Sequence, residues 1–415
     1  MKSFISLEMV GIKKYFSRDE RRFAVVVSLL FLILLILQNY NGRFWMNDFK
    51  VFYLAAKAFV AGESVYHQAF GLDSGHFKYS PFALLPFVPL SFLPYFYAKL
   101  IYYLTCTAFI SLTIIASKRI WDVLPGGKSQ QSIFILFITV IIAGGHLFRE
   151  MHLGNINLLL LFTLLMVLWL VRGNKDKSAG LLFAVVLLFK PHFIVLIPLL
   201  VLRKKWKMLL SMLIGLGMGF LIPALFVGFT KDLSLFSEWI NTIITHNNYF
   251  FDQRDTIHII FYNSFVKYFV AEPGIGYIAT MIATIALLIL VFVLWNLKNE
   301  SLSNDQTLQK INFTFEFLVL IALIPSLVLT DTEHFMFSIP LVVFILIYLF
   351  TSRNLALIIA SSIAFFFYLG HLGDLLGNAS DVITKLGGLG VGNLLIIGIA
   401  LYIFITKKKE LGAME

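Results

Sequence analysis

Long apolar runs alternate with short polar segments along almost the whole chain. A helix needs about 20 apolar residues to cross a hydrocarbon core roughly 30 Å thick. The apolar runs cover residues 23–37, 95–117, 131–146, 157–171, 179–189, 192–202, 208–229, 275–296, 311–329, 336–350, 354–370 and 389–406. This pattern predicts one all-α, polytopic membrane domain over residues 1–415, built from about twelve transmembrane or re-entrant helices.

Composition supports a membrane location. Of the 415 residues, 59% are hydrophobic, only 13% are charged and 43 are phenylalanine, which is unlike a soluble domain. The net charge of +10 lies in short basic clusters between apolar runs, so it indicates topology rather than binding to nucleic acid. Cys106 is the one cysteine, which excludes an intrachain disulfide and a metal site made of cysteines alone.

The basic clusters predict the orientation of the chain. Basic residues from Lys13 to Arg22 precede the first apolar run, which lacks a small-residue cleavage site and is expected to stay as the first span. Residues 1–22 and the tail 407–415 are therefore predicted to be cytoplasmic. The outer face then carries residues 41–94, 147–156, 230–274, 330–335 and 371–388.

A helix break is predicted at Lys190-Pro191. If residues 179–202 formed one span, Lys190 would lie in the middle of the membrane and the basic cluster Arg203–Lys207 would be exported. Two short arms avoid both costs, and broken helices are tolerated where they line a wet cavity. Lys190 is then expected to face a polar cavity, with snorkelling to the membrane surface as the alternative.

The outer segment 41–94 is predicted to contain an interfacial helix that anchors a loop over a cavity. Phe52, Ala55, Ala56 and Phe59 recur at helical spacing after Asp48. A carboxylate at a water-restricted surface is able to act as a general base on an attacking hydroxyl. Capping of this helix by Asp48 is the alternative, so both roles remain open at this point.

Motifs in residues 41–207 resemble glycosyltransferase family 87. They are Asn47-Asp48-Phe49 with Tyr53 and Ala55-Ala56, Gly62 and Tyr66, Tyr79-Ser80-Pro81, Gly154-Asn155-Ile156-Asn157, Lys190-Pro191 and the Arg203–Lys207 cluster; Tyr262-Asn263-Ser264 adds a weaker match in the second half. The resemblance implies a GT-C-like helical bundle and inverting transfer from a polyprenyl-phosphate sugar, usually mannose. It further implies Asp48 as the base and no cofactor, metal or nucleotide sugar. Asn155 stands where the family has glutamine.

Several other polar residues are candidates for the site. A leaving phosphate is stabilised by fixed cations and dipoles, and the candidates for this contact are Arg149, His152, Lys190 and His192. The remaining site candidates are Lys78, Tyr79, Asn155, Asn157, Arg254, His258, Asn263 and His334. Pairing of Arg149 with Glu150 at the surface, and simple solvation of the turn 331–334, are the alternatives. Histidines and acids of the segment 246–258 match no metal-ligand spacing.

The predicted function is transfer of a sugar, mannose by resemblance, to a lipid-linked or glycan acceptor at the outer face. Its partners are a polyprenyl-phosphate sugar donor, a glycolipid or glycan acceptor and membrane lipids, with no nucleic acid and no cofactor. A bacterial plasma (inner) membrane fits the basic clusters. A lipid-linked glycan ligase or polymerase stays open. So does a transporter or flippase, although a second matching break would be expected for it.

Overall fold

The structure of the protein, a computed structural model, is mostly helical in the part of the chain that it describes. The described residues are 16–71, 75–122, 132–252, 292–294, 296, 306–327, 331–370, 377, 379, 382–383 and 387–412. Extended pairing within these ranges is limited to one isolated bridge between Ala69 and His76. The prediction of an all-α polytopic membrane protein is confirmed.

Fourteen main helices are numbered here in chain order within the described residues. They are α1 (Arg18–Tyr40), α2 (Asn47–Val60), α3 (Tyr95–Ile120), α4 (Ser132–Ile142), α5 (Gly144–Leu153), α6 (Asn157–Arg172), α7 (Asp176–Phe189), α8 (Ile197–Leu202), α9 (Trp206–Leu221), α10 (Phe229–Asp252), α11 (Gln306–Leu327), α12 (Ile339–Ser352), α13 (Leu355–Tyr368) and α14 (Gly388–Gly412). Short 3-10 helices cover Pro81–Phe87, Pro191–Leu196 and Thr332–Ser338.

Six helical segments are long and apolar enough to cross a membrane by themselves, and the bent pair α4–α5 adds a seventh if it forms one span. Shorter apolar helices lie at Asn157–Arg172, Pro191–Leu202 and Leu355–Tyr368. The apolar run 275–296 falls almost wholly outside the described residues. The total of about twelve helical arms therefore stays a prediction.

Several predicted cytoplasmic clusters meet at one end of the bundle. Arg119 at the end of α3 forms an ion pair with Glu20 at the start of α1, with 2.6 Å between Nη2 and Oε2. Arg172 at the end of α6 donates to the carbonyl oxygen of Ile120 at 2.6 Å, and Lys205 lies 3.3 Å from Asp176. We call this the basic end. Its side of the membrane stays a prediction.

The predicted interfacial helix is α2, and it is amphipathic as expected. Phe49, Phe52 and Phe59 are buried, whereas Lys50 and Lys57 are exposed. The Phe49 ring stacks on Tyr102 of α3 with 4.6 Å between ring centroids. Aromatic burial of this kind is a large apolar contribution, so α2 is fixed to the bundle rather than hanging as a loose loop.

Two predicted outer loops are partly helical, which corrects the sequence-based boundaries. Residues 147–153 of the predicted loop 147–156 belong to α5, which is bent by 65° from α4. A Cβ at Gly145 would lie 2.4 Å from the carbonyl oxygen of Leu369, so the glycine allows this bend to pack against α13. Residues 230–252 of the predicted loop 230–274 belong to α10.

The predicted break at Lys190 is present. Helix α7 ends at Phe189, Lys190 adopts an extended conformation with φ −136° and ψ 95°, and Pro191 begins a 3-10 helix. Proline has no N–H to continue the helical hydrogen bonds. The chain therefore reverses here, at the end of the bundle opposite the basic end.

A buried ion pair that the sequence analysis did not predict joins α8 to α11. Arg203, directly after α8, donates through Nε to Glu316 Oε2 at 2.8 Å, and the two side chains are 7% and 0% exposed. Asn296 Nδ2 donates to Glu316 Oε1 at 2.7 Å. The pair is fully hydrogen-bonded on the carboxylate side, as a buried charge requires.

We predict that Glu316→Gln destabilises the protein by about 3–5 kcal/mol, because Arg203 is then left buried without its counter-charge. Thermal unfolding in detergent measures the change. The matched control is Asp176→Asn, which breaks the partly exposed pair with Lys205 and is expected to cost about 1 kcal/mol or less. Equal unfolding midpoints for the two variants would contradict a stabilising role for the buried pair.

Candidate active site

Four irregular segments meet at the end of the bundle opposite the basic end. They are the start of α2, the link between α5 and α6, the break after α7 and the 3-10 helix Thr332–Ser338. Each carries a polar side chain into the same region: Asp48, Asn155, Lys190 and His334 respectively. Residues separated by more than a hundred positions in the sequence thereby become neighbours.

Asp48 is the second residue of α2, but its carboxylate does not cap that helix. The N-cap residue is Met46, in the left-handed conformation with φ 49° and with no side-chain cap hydrogen bond. Asp48 Oδ2 instead accepts a hydrogen bond from Asn155 Nδ2 at 2.7 Å. The carboxylate is directed across to the α5–α6 link, which favours a role in chemistry over the capping alternative.

Gly154 lets α2 approach the α5–α6 link closely. Its φ is +68°, and a Cβ there would lie 2.8 Å from the Cβ of Phe49 and 2.7 Å from the Cε of Met46. The Met46 N–H donates to the His152 carbonyl oxygen at 3.2 Å across the same junction. A larger residue at Gly154 would push Asp48 away from Asn155, so this glycine serves the geometry of the site.

Asn155 is held on all sides. Its Oδ1 accepts from the Ile156 N–H at 2.7 Å and its backbone carbonyl accepts from the Tyr102 hydroxyl at 2.8 Å. Its Nδ2 faces two carboxylates, Asp48 at 2.7 Å and Glu333 Oε1 at 3.4 Å. Asn155, where the family resemblance expects glutamine, therefore contacts the candidate base directly.

Glu150 supports the other half of the site. Its Oε1 accepts from the Leu158 N–H at 2.9 Å, which satisfies an otherwise free donor at the start of α6. Its Oε2 accepts from Asn157 Nδ2 at 3.0 Å. Asn157 Oδ1 in turn accepts from Lys190 Nζ. Glu150 thus orients Asn157, and Asn157 orients the lysine.

Lys190 is 6% exposed and lies inside the bundle rather than snorkelling to its surface. Its Nζ is 2.7 Å from His334 Nε2. Because an ammonium group only donates, Nε2 is the acceptor and a neutral His334 carries its proton on Nδ1. His192 lies beside this pair, and its Nε2 is buried with no hydrogen-bond partner within the described ranges.

Segment 77–81 closes the site between α2 and α7. Ser80 Oγ donates to the Leu188 carbonyl at 2.6 Å, and the Tyr79 carbonyl accepts from the Tyr66 hydroxyl at 2.8 Å. The Lys78 carbonyl accepts from Trp239 Nε1 at 3.2 Å. Burial lowers the pKa of the Lys78 ammonium, whereas the Asp48 carboxylate raises it. Lys78 and Tyr79, two of the predicted site candidates, thus lie near Asp48.

The surroundings of Asp48 make it a stronger base than an ordinary aspartate. Burial, and next the negative charge of Glu333, raise the pKa of Asp48 to about 7; the positive charges of Lys78, Lys190 and Arg149 oppose this. Desolvation disfavours the charged form of a carboxyl group. A pKa near the working pH is what general-base catalysis needs.

Arg149 and His152 lie on helix α5, not on a loop as predicted. Arg149 pairs with Asp331, with 3.0 Å between Nη2 and Oδ2, and not with its neighbour Glu150. Its side chain is 43% exposed, so it lies at the rim of the site. His152 packs on Trp45 with 5.4 Å between ring centroids. Within the described residues, His152 makes no hydrogen bond to Lys190.

Other predictions are untested or incomplete. Arg254, His258 and Asn263 lie outside the described residues. Among those described, no group of three or more histidine, cysteine, aspartate or glutamate side chains is arranged to hold a metal ion. Sequence reasoning missed Glu150 and Glu333 as site residues. Their signal was a carboxylate beside an apolar run, which is costly to bury without a purpose.

The contacts form one chain from the candidate base to the buried cation. In order, it passes through Asp48, Asn155, Glu333, His334, Lys190, Asn157 and Glu150. The arrangement places a carboxylate with raised proton affinity and a buried ammonium in one roofed region. Such a pair can activate a hydroxyl and stabilise a leaving anion in a single reaction.

Comparison with known proteins agrees with a glycosyl-transfer site. The sequence model of glycosyltransferase family 87 matches residues 77–322. An α-(1→3)-arabinofuranosyltransferase of Corynebacterium glutamicum is 27% identical over 183 residues, 43% of this chain and 41% of that protein. The enzyme of the same name from Mycobacterium tuberculosis H37Rv is 26% identical over 192 residues, 45% of this chain and 42% of that protein.

These alignments span well under half the length of the curated relatives. No solved structure matches the chain.

Proposed function

This chain belongs to glycosyltransferase family 87, and we propose that it transfers a sugar from a polyprenyl-phosphate donor to a glycan or glycolipid acceptor. The observation that carries the proposal is the placement of Asp48 and the buried Lys190 in one group of polar contacts at the end of the helical bundle. Asp48 is the general base, and Lys190 meets the donor phosphate.

The reaction follows from the charges at these two positions. Asp48 takes the proton of the acceptor hydroxyl, and the acceptor oxygen attacks the anomeric carbon. The bond between that carbon and the phosphate oxygen breaks, and the lipid phosphate leaves with the electron pair. Lys190, buried and fixed by Asn157, offsets the negative charge that grows on the leaving oxygen. Attack opposite to the leaving group inverts the anomeric centre.

A lipid-linked donor suits the position of the site. The apolar bundle offers a polyprenyl tail a surrounding like its own, and the charged head group meets Lys78 and Lys190 at the bundle end. A partly dehydrated pocket strengthens each of these charge contacts. Arg149, paired with Asp331 at the rim, is placed to contact the phosphate during entry.

A transfer assay distinguishes between the two candidate sugars. Resemblance of the opening motifs favours mannose, whereas the two relatives are named arabinofuranosyltransferases. A panel of polyprenyl-phosphate mannose and polyprenyl-phosphate arabinofuranose distinguishes them. A lipid-linked glycan ligase would use neither of these two donors and would transfer from an oligosaccharide donor instead. A flippase would move the donor across the bilayer without transfer.

We predict that Asp48→Asn lowers transfer by a factor of about 10² to 10⁴, the usual contribution of a general base. The assay is radiolabelled sugar transfer by the purified protein in lipid nanodiscs. Donor binding, measured by equilibrium titration, should persist because the amide keeps the shape of the carboxyl group. Asp19→Asn, at the exposed start of α1, is the matched control; wild-type rates in the Asp48 variant would remove Asp48 as the base.

We predict that kcat/KM rises with pH and levels off above about 7. The base must be ionised, and the pKa of Asp48 is about 7. The ionised fraction is therefore full well above this value and falls roughly tenfold for each pH unit well below it. The measurement is kcat/KM from pH 5.5 to 8.5 at constant ionic strength. A rate that is flat or falls across this range would contradict the assignment.

We predict that Lys190→Met raises KM for the donor at least tenfold and also lowers kcat, since the lysine meets the phosphate both before and during bond breaking. Steady-state kinetics with varied donor concentration measure both constants. Lys50→Met is the matched control because Lys50 is exposed on α2. Unchanged donor KM in the Lys190 variant would show that the phosphate binds elsewhere.

A further inference from the structure

Glu333 is a buried carboxylate that has no role in the transfer reaction as proposed above. It is 2% exposed, and its Oε2 is buried with no hydrogen-bond partner among the residues that the structure describes. Buried polar atoms in proteins are normally hydrogen-bonded, and an orphaned carboxylate oxygen is costly. A carboxylate that served packing alone would be satisfied or replaced by an apolar side chain, so Glu333 calls for another explanation.

Capping does not supply that explanation. Glu333 lies in the first turn of the 3-10 helix Thr332–Ser338, but the N-cap is Asp331, whose Oδ1 accepts from the Thr332 N–H at 2.7 Å. Asp331 also forms the ion pair with Arg149. The needs of this turn are thus met by its neighbour, and the Glu333 side chain is free to face the interior.

Glu333 lies between the two halves of the site. On one side its Oε1 is 3.4 Å from Asn155 Nδ2, the same nitrogen that donates to Asp48. On the other side Oε1 is 3.4 Å from His334 Nδ1, the nitrogen that carries the proton when Nε2 accepts from Lys190. Oε1 therefore accepts a hydrogen bond from the amide that holds the base. It also lies near the imidazole that contacts the cation, although His334 Nδ1 makes no hydrogen bond among the described residues.

We propose that Glu333 is a positioning residue of the transfer reaction: its Oε1 helps to hold the Asn155 amide that donates to Asp48, and its carboxylate lies beside the base. This inference rests on the proposed function and assigns to Glu333 no contact with the sugar. Oε1 acts on Asp48 through the Asn155 amide, and the charge of Glu333 acts on Asp48 through space.

The charged groups around the two carboxylates set the sign of the effect. Asp48 is faced by Glu333, Lys78, Lys190, Arg149 and Tyr79, and Glu333 is faced by Asp331, Glu150, Arg149, Lys190, His334, Tyr79 and Asp48. Among the described residues, Glu333 is the negative neighbour with the largest effect on Asp48. Where Glu333 is ionised, removal of its charge leaves the cations Lys78, Lys190 and Arg149 to act on Asp48, so the carboxylate holds its proton less tightly and is a weaker base.

The test compares Glu333→Gln, Glu333→Asp and Glu63→Gln with wild type in nanodiscs, using kcat/KM from pH 5 to 8.5 with the active polyprenyl-phosphate donor. Glutamine keeps the shape of the Glu333 side chain but removes its charge. Aspartate keeps the charge but is one methylene shorter, so the charge lies farther from Asn155 and Asp48. Glu63 is exposed just beyond the other end of α2, so its variant changes net charge equally without facing Asp48.

We expect Glu333→Gln to shift the acidic limb of the kcat/KM profile to lower pH by about one unit, the size of effect expected for a neighbouring charge. We also expect this variant to lower the plateau value of kcat/KM about tenfold. Glu333→Asp should shift the limb in the same direction by less. Glu63→Gln should match wild type. A purely packing role for Glu333 would lower the amount of folded protein and the rate without moving the limb.

Each outcome bears on the inference separately from the function. An unshifted limb in both Glu333 variants, with wild type active, overturns the positioning role and leaves the transferase proposal intact. If Glu333→Gln does not fold, Glu333→Asp decides: a smaller downward shift supports the inference and an unshifted limb overturns it. Absence of transfer by wild type with every lipid-phosphate donor would instead reject the proposed function.

Discussion

Every charge inside this helical bundle has to find its partner within the protein, because the hydrocarbon around the helices offers none. Arg203 meets Glu316 between α8 and α11, and Lys190 meets Asn157 and His334 at the opposite end. The two groups of contacts differ in how completely their polar atoms are hydrogen-bonded. In the first, both carboxylate oxygens of Glu316 accept hydrogen bonds. In the second, Glu333 Oε2, His192 Nε2 and His334 Nδ1 are buried without a hydrogen-bond partner in the described part of the chain, and a bound ligand can satisfy such polar atoms.

Irregular backbone is concentrated at this open site, and the membrane explains why. Non-helical segments are tolerated at depth only where protein or a wet cavity satisfies their polar groups. Met46 and Gly154 are left-handed, and Lys190 is extended. Each departure turns a side chain or a backbone group toward the same region. The regular helices hold these segments in place, so the site combines a rigid scaffold with the bends that aim its residues.

Much of the scaffold was readable from local sequence, because the length of an apolar run and the cost of burying Lys190 are both local properties. The break at Lys190-Pro191 was predicted in this way and is present. Partners were not readable: Asn155 and Glu333 lie 178 positions apart, and Arg203 and Glu316 lie 113 apart. The extension of α5 depends on close packing of Gly145 against Leu369. Asp48 was singled out by family resemblance, since locally it was indistinguishable from a helix cap.

Because the polar chain is continuous, the strength of the base and the binding of the donor are coupled. The positive charges of Lys190 and Lys78 lower the proton affinity of Asp48 in the unliganded site. A donor phosphate placed against Lys190, as proposed, would offset part of that positive charge and leave Asp48 a stronger base when the donor is bound. Charges in a low-dielectric site are felt over several ångströms. The base would then reach its full strength when a donor is present, and Asp48 in the free site would take up a proton less readily than in the loaded one.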